Sequence, residues 1–323
     1  MKFSTYLPGL SRWPPSAFAT PGANWQERLD ASAFQRIVQT ADELGFDSVN
    51  VPEHIVMPVG LAEQMGAYWP DAFTVMAFVA GATRTINVNS GVLVLPYHRP
   101  AQLAKAVATL DVLSGGRVML TVGAGMAADE FAALGVPFHQ RGRITDEHIK
   151  AMKTLWTSEH PEYHGEFVDF AGVLFEPKPV RKPHPPIFVG GCSIFALRRA
   201  ARLGDGWAPM GAQGGKGPWL NGVEDLPRFL DEARRIEGFA DREHEFEIAL
   251  PPVPTRIGPD HKLIDSGHRL TTTQQVVDII GGLREAGVTW TSVPALEPGP
   301  GSLAGHLEYL EWAATQVMAH FRE

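Results

Sequence analysis

A repeated alternation constrains this chain more than any other feature. Eight short runs, KFSTYL, FDSVNVPEHI, INVNSGVLVL, RVMLTVGAG, IFVGG, GWAPMG, FEIALPPV and VTWTSVPAL, read as strands, and each is followed by a segment containing a helical repeat of apolar residues. Parallel strands need crossovers of this kind, and eight such units close into a (β/α)8 barrel of the α/β class. An open doubly wound sheet accounts for the alternation equally well but for the count less well. The 323 residues are expected to form one barrel domain over 1–323. An insertion near 158–186 is expected, where GEFVDFAGVLFEPKPVRKPHPP reads as a hairpin-like excursion followed by a proline-stiffened connector. Ser32 to Gln35 reads as a capping box, Thr145 as the cap of a later helix, and Pro100 and Gly115 as the start and stop of another.

TVGAGMAA spells G-x-G-x-x-A through Gly123, Gly125 and Ala128, the outline of a dinucleotide turn. That motif requires a second strand ending in an acidic residue some way on. RGRITDEHIKAMKTLW stands there instead, with Ile149, Met152, Leu155 and Trp156 at helical spacing. The dinucleotide reading fails its context.

Several partners are unexpected on composition. The net charge is −8 and no Lys/Arg stripe interleaves with aromatics, which disfavours nucleic acid. No apolar stretch reaches membrane-spanning length, and Pro8 and Gly9 break the first segment too early for a signal peptide, so a cytoplasmic location is expected. The single cysteine, Cys192, excludes an internal disulfide. His139, His148 and His160 lack ligand spacing, and no metal site is expected.

In a barrel, chemistry gathers where strands end. The second strand ends in PEHIVMP, placing Glu53 and His54 on the rim, where the carboxylate can fix the tautomer or hold the charge of its neighbour. The alternative is a rim histidine bonded to backbone. The fifth strand runs into Gly190, Gly191, Cys192 and Ser193 with Ser193 at a helix N-cap, a turn suited to phosphate or simply a capped tight turn. Ser90 and Gly91 interrupt the third strand and by pattern mark a bulge.

PEHIVMP, NSGVLVLPYHRPAQLAKAVATLDVLSGGRVMLTVGAG, FAALGVPFHQRGRITDEHIKAMKTLW and PHPPIFVGGCSIFALRRAARLGDGW together resemble the luciferase-like monooxygenase superfamily, in particular its branch that uses the deazaflavin coenzyme F420. The resemblance implies a luciferase-like barrel with the cofactor across its C-terminal mouth. It implies a non-prolyl cis peptide at Ser90–Gly91, pressing this backbone and Val92 toward the ring. His54 falls at the family's rim histidine, a proton donor or acceptor, with Glu53 where relatives often have aspartate. Gly190 to Ser193 fall on the phosphate turn, and Gly123 and Gly125 would let the fourth strand pass close to the cofactor. Met126 stands where sugar-phosphate oxidising relatives carry glutamate, which points to an apolar substrate space instead.

The implied activity is hydride transfer between F420 and a small organic, apolar substrate. The alternatives are an FMN-dependent monooxygenase supplied with reduced flavin by a separate reductase, and a non-catalytic flavin-binding barrel. A homodimer is implied as well. For the glutamate tail of F420, Arg141, Arg143 and Lys178 to Lys182 are the candidate cations. Trp13, Phe18, Trp25, Met57, Met65, Tyr68 and Trp69 either line the substrate mouth or fold back as a loop minicore.

Overall fold

The computed structural model describes residues 1–8, 29–209, 218–252, 256–257, 263–264, 269–297 and 299–322. The barrel strands are β1 (Lys2–Tyr6), β2 (Ser48–Val51), β3 (Asn87–Val94), β4 (Val118–Gly123), β5 (Ile187–Gly190), β6 (Gly206–Ala208), β7 (Glu247–Ile248) and β8 (Trp290–Ser292). They lie in the order β8-β1-β2-β3-β4-β5-β6-β7, every pair parallel. The remaining seam is bridged at Ala249 and Trp290, where the Leu250 amide donates to the Trp290 carbonyl at 3.0 Å and the Thr289 amide to the Ile248 carbonyl at 3.0 Å. That bridge favours the barrel over the open sheet.

Strand periodicity divides the core into two. Val118, Leu120 and Val122 of β4 point outward and join Leu103, Val107, Met152 and Leu155 of the surrounding helices. Met119 of the same strand points inward to Phe188, Ala208 and Trp290. The inside also holds a polar set, in which the Asn89 amide donates to Asn50 Oδ1 at 2.9 Å and to Thr121 Oγ1 at 3.0 Å. Mutual pairing is what makes these buried polar groups tolerable.

Two helix starts differ from expectation. Helix Ala31–Glu43 is capped by Asp30, whose carboxylate accepts from the Ala33 amide at 2.8 Å, while Ser32 merely donates to Asp30 at 2.8 Å. Aspartate fills the cap two residues earlier and so displaces the Ser32 box. Helix Arg141–Thr157 likewise begins before Thr145, whose hydroxyl donates back to the Arg141 carbonyl at 2.7 Å. Helix Pro100–Ser114 opens on its proline and stops at Gly115 with φ +70°, as the sequence implies.

The stretch after Thr157 forms an antiparallel pair, Tyr163–His164 with Asp169–Phe170. Glu147 holds its tip by accepting from the amides of Glu166, Phe167 and Val168 at 3.0, 2.9 and 3.2 Å. His148 is buried and its Nδ1 meets the Leu95 carbonyl at 3.0 Å, a structural contact; burial pushes its pKa down. Among the described residues no helix is long and apolar enough to cross a membrane.

Candidate active site

Three loops meet at one corner of the C-terminal mouth, and Glu130 joins them. It lies in the first turn of the short helix Ala128–Ala133 that follows β4, with its side chain fully buried. Its Oε2 stands 2.8 Å from Nδ1 of His54 and accepts from the Tyr97 hydroxyl at 3.0 Å. Its Oε1 accepts from the amides of Ile55 at 2.8 Å and Val56 at 3.3 Å. Burial alone would push this carboxyl up. The His54 hydrogen bond and charge, with the Ile55 amide and the Tyr97 hydroxyl, outweigh it and hold the group below the usual carboxylate range.

Glu53 is therefore not the partner of His54. Successive side chains of an extended segment point to opposite sides, so the two neighbours diverge. Buried Glu53 accepts from the Val94 amide at 2.8 Å through Oε2 and meets His98 Nε2 at 2.9 Å through Oε1. It ties the end of β2 to the end of β3. His54 keeps 11% of its side chain exposed, and the Trp69 ring meets it edge-on at 4.6 Å between centroids.

The third strand departs from expectation by one residue. The non-prolyl cis peptide is Gly91–Val92, not Ser90–Gly91. Ser90 and Gly91 remain in the regular ladder opposite Leu120 and Thr121, and the register shifts between Gly91 and Leu93, leaving Val92 as the extra residue. Ser90 is fully buried, its hydroxyl donating to the Thr121 carbonyl and accepting from the Thr121 amide, each at 3.1 Å. It does not line the mouth.

The glycines of the fourth and fifth strands make room for protein. A Cβ on Gly123 would stand 2.8 Å from Val92 Cγ1, and one on Gly190 would stand 3.3 Å from both Val92 methyl groups. Half-buried Val92 thus fills the space over two bare backbones. Gly125 has φ +82°, and a Cβ there would meet the Phe131 ring at 2.6 Å. That close approach seats Phe131, which follows Glu130 directly and packs edge-on against Tyr97 at 4.8 Å. Gly125 of the TVGAGMAA run thus helps build the corner around Glu130. Met126, next to Gly125, is half-buried.

At β5, Ser193 caps helix Ile194–Leu203 by accepting from the Ala196 amide at 3.2 Å. Gly191, with φ +117°, donates to the Ala208 carbonyl at 3.0 Å and accepts from the Trp207 indole at 2.8 Å. The Cys192 carbonyl accepts from the Leu220 amide at 2.9 Å, and burial pushes its thiol up to about 12. Cys192 therefore contributes backbone and not a reactive thiolate. At this helix start Ser193 takes the Ala196 amide and the Ile194 amide donates to the Pro218 carbonyl at 3.2 Å.

Of the candidate tail cations, Lys178 donates to the carbonyls of Leu155 and Ser158 at 2.8 and 2.6 Å, at the C-terminal end of helix Arg141–Thr157. Helices run opposite to strands in this fold, so the connector lies at the far end of the barrel from the mouth. Arg141 stacks on Phe138 at 3.9 Å, and exposed Arg143 pairs with Glu166 at 2.6 Å. Sequence reasoning missed Glu130, Tyr97 and His98. All three follow the ends of β4 and β3, the rule that singled out His54, and their signal was position alone.

The sequence profile described as luciferase-like monooxygenase matches residues 12–220. The chain belongs to that family. An uncharacterised protein of Mycobacterium tuberculosis is 31% identical over 303 residues, 90% of this chain and 96% of the other. An FMNH2-dependent dimethylsulfone monooxygenase of Pseudomonas putida is 29% identical over 237 residues, covering 72% of this chain and 60% of that one. An F420-dependent glucose-6-phosphate dehydrogenase of Amycolatopsis mediterranei is 31% identical over 215 residues, covering 65% and 62%. The fold matches the crystal structure of monooxygenase RslO1 from Streptomyces bottropensis with a TM-score of 0.73 at 21% identity, over 100% of both chains.

Proposed function

We propose that this protein is an F420-dependent oxidoreductase that transfers hydride between the deazaflavin and a small apolar organic substrate, with His54 as the proton partner. The deazaflavin has carbon where flavin has nitrogen and supplies hydride with little reactivity toward oxygen. Hydride transfer to or from a carbon bonded to oxygen or nitrogen leaves a proton to be placed, which requires a titratable group at the mouth. The observation that carries this reading is His54 held by ionised Glu130 at 2.8 Å on the rim. Val92 over Gly123 and Gly190 supports the ring, and the turn Gly190 to Ser193 receives the phosphate.

An apolar substrate follows from what surrounds His54. Trp69 packs on it, Ile55 and Val56 follow it, and Val59 and Tyr68 are 84% and 66% exposed nearby in the chain. Met65, by contrast, is buried. Trp13, Phe18 and Trp25 lie outside the described residues. Likeness to the dimethylsulfone monooxygenase favours a second reading, FMN-dependent oxygenation with a separate reductase supplying reduced flavin. Both readings include a homodimer working in the cytoplasm.

Equilibrium titration of the cofactor-free protein with F420 and with FMN tests the choice. F420 is expected to bind at least about tenfold tighter, a difference of about 1.4 kcal/mol. Tighter FMN binding overturns it in favour of the second reading.

A further inference from the structure

We propose that Glu130 is the positioning residue that sets which nitrogen of His54 carries the proton, leaving Nε2 as the basic atom turned to the substrate. The inference deepens the function proposed above, since it takes His54 as the proton partner. Its structural half stands without any cofactor.

A carboxylate has room for about four hydrogen bonds. Glu130 receives four, from Ile55 and Val56 on Oε1 and from His54 and Tyr97 on Oε2. The two amides can only donate, so Oε1 is an acceptor in every state. With the carboxyl ionised, Oε2 is an acceptor too, and Nδ1 of His54 must hold the hydrogen between them. Among the described residues none hydrogen-bonds Nε2. Neutral His54 is thereby fixed as the Nδ1–H tautomer with a lone pair on Nε2.

The proton balance follows. In substrate oxidation the O–H or N–H proton would pass to Nε2 of His54, and a bound deazaflavin would supply the acceptor for the hydride of the C–H bond. The imidazolium shares its Nδ1 proton with the Glu130 carboxylate, and reduction runs both transfers backward.

Glu130→Gln separates this from a merely structural role. The introduced amide keeps its oxygen toward the two backbone donors, so its NH2 group faces Nδ1 of His54. The histidine must then accept at Nδ1 and move its own hydrogen to Nε2. A carboxylate-to-amide change that leaves geometry intact but imposes the wrong tautomer is a known route to loss of a catalytic histidine.

The first measurement uses cofactor-free protein labelled with 15N-histidine at alkaline pH, with the His54 signal assigned by its absence in His54→Gln. Wild type is expected to show a protonated Nδ1 and an unprotonated Nε2, and Glu130→Gln the reverse. Wild type with the hydrogen on Nε2 overturns the proposal, and so does Glu130→Gln that keeps the wild-type pattern. If that variant does not fold, the wild-type spectrum alone decides. The second measurement is turnover, where Glu130→Gln is expected to lower kcat by roughly 10²–10⁴-fold with KM changed little. Tautomer reversal with kcat unchanged overturns the catalytic half. Failure of F420 to bind bears on the proposed function alone, since the spectra need no cofactor.

Discussion

The pairs His54–Glu130 and His98–Glu53 are made of the same two side chains at nearly the same separation, 2.8 and 2.9 Å, in adjacent loops of one rim. Each glutamate is buried, and Glu130 also holds two backbone amides where Glu53 holds one. They differ in what packs on the ring, Trp69 at 4.6 Å from His54 and Phe73 at 6.2 Å from His98, and in what each glutamate holds besides it. His98 sits beside the helix Ala72–Ala82, edge-on to Phe73 at 6.2 Å, so its pair joins two strands to the outer layer. Neither ring shows a second hydrogen-bond partner among the described residues, and the His98 side chain is 20% exposed against 11% for His54. The contrast therefore lies in the glutamates: Glu130 also orders the segment that follows His54, whereas Glu53 holds the Val94 amide of β3. A histidine clamped by a carboxylate becomes chemistry only where the opposite nitrogen can reach a substrate.

Alanine at each histidine tests that contrast most strongly. His54→Ala is expected to lower turnover by roughly 10²–10⁴-fold, the range for lost general acid–base help, while cofactor affinity stays nearly intact. His98→Ala is expected to change turnover by less than about tenfold, since it removes one link in a scaffold. Steady-state kinetics beside equilibrium cofactor binding checks both. Comparable losses of turnover would erase the distinction between the pairs.

Stability should rank the glutamates by what each one holds. Glu53→Ala leaves the Val94 amide and the His98 ring without their buried acceptor, and a cost of about 2–4 kcal/mol is expected. Urea unfolding reads this as a lower midpoint. A loss under about 1 kcal/mol would mean that Glu53 is not a stitch between β2 and β3.

The eightfold alternation made the barrel legible because strand and helix periods survive in a single sequence. His54, the glycines and the Ser193 cap were legible by their place just after strands. The pairing of the rim was not. Glu53 and His54 are adjacent in sequence, but an extended backbone sends them to different partners, one 45 and the other 76 residues away. No local pattern encodes contacts of that span. The cis peptide was displaced for a similar reason, because the ladder to β4 decides where β3 becomes irregular. Gly125 shows the same limit, since no local pattern reveals that Phe131 and Val94 crowd it.

The smallest effect is expected at Tyr97, which belongs to the His54 pair but touches only its carboxylate. Burial pushes the phenol pKa up, and the Glu130 charge and hydrogen bond add to it, so the hydroxyl stays protonated across the neutral range. It can donate to Glu130 but cannot release its proton to a substrate there. Tyr97→Phe removes one of the four hydrogen bonds that keep Glu130 ionised and leaves the His54 contact and both backbone amides in place. A stability loss of about 1 kcal/mol is expected, with turnover lowered by less than about tenfold. Because Tyr97 does not titrate near neutrality, the pH–rate profile between pH 6 and 9 should keep its shape. A turnover loss as large as that of His54→Ala, or a vanished basic limb, would make Tyr97 a proton carrier and shift the chemistry of this corner from His54 to the hydroxyl beside it.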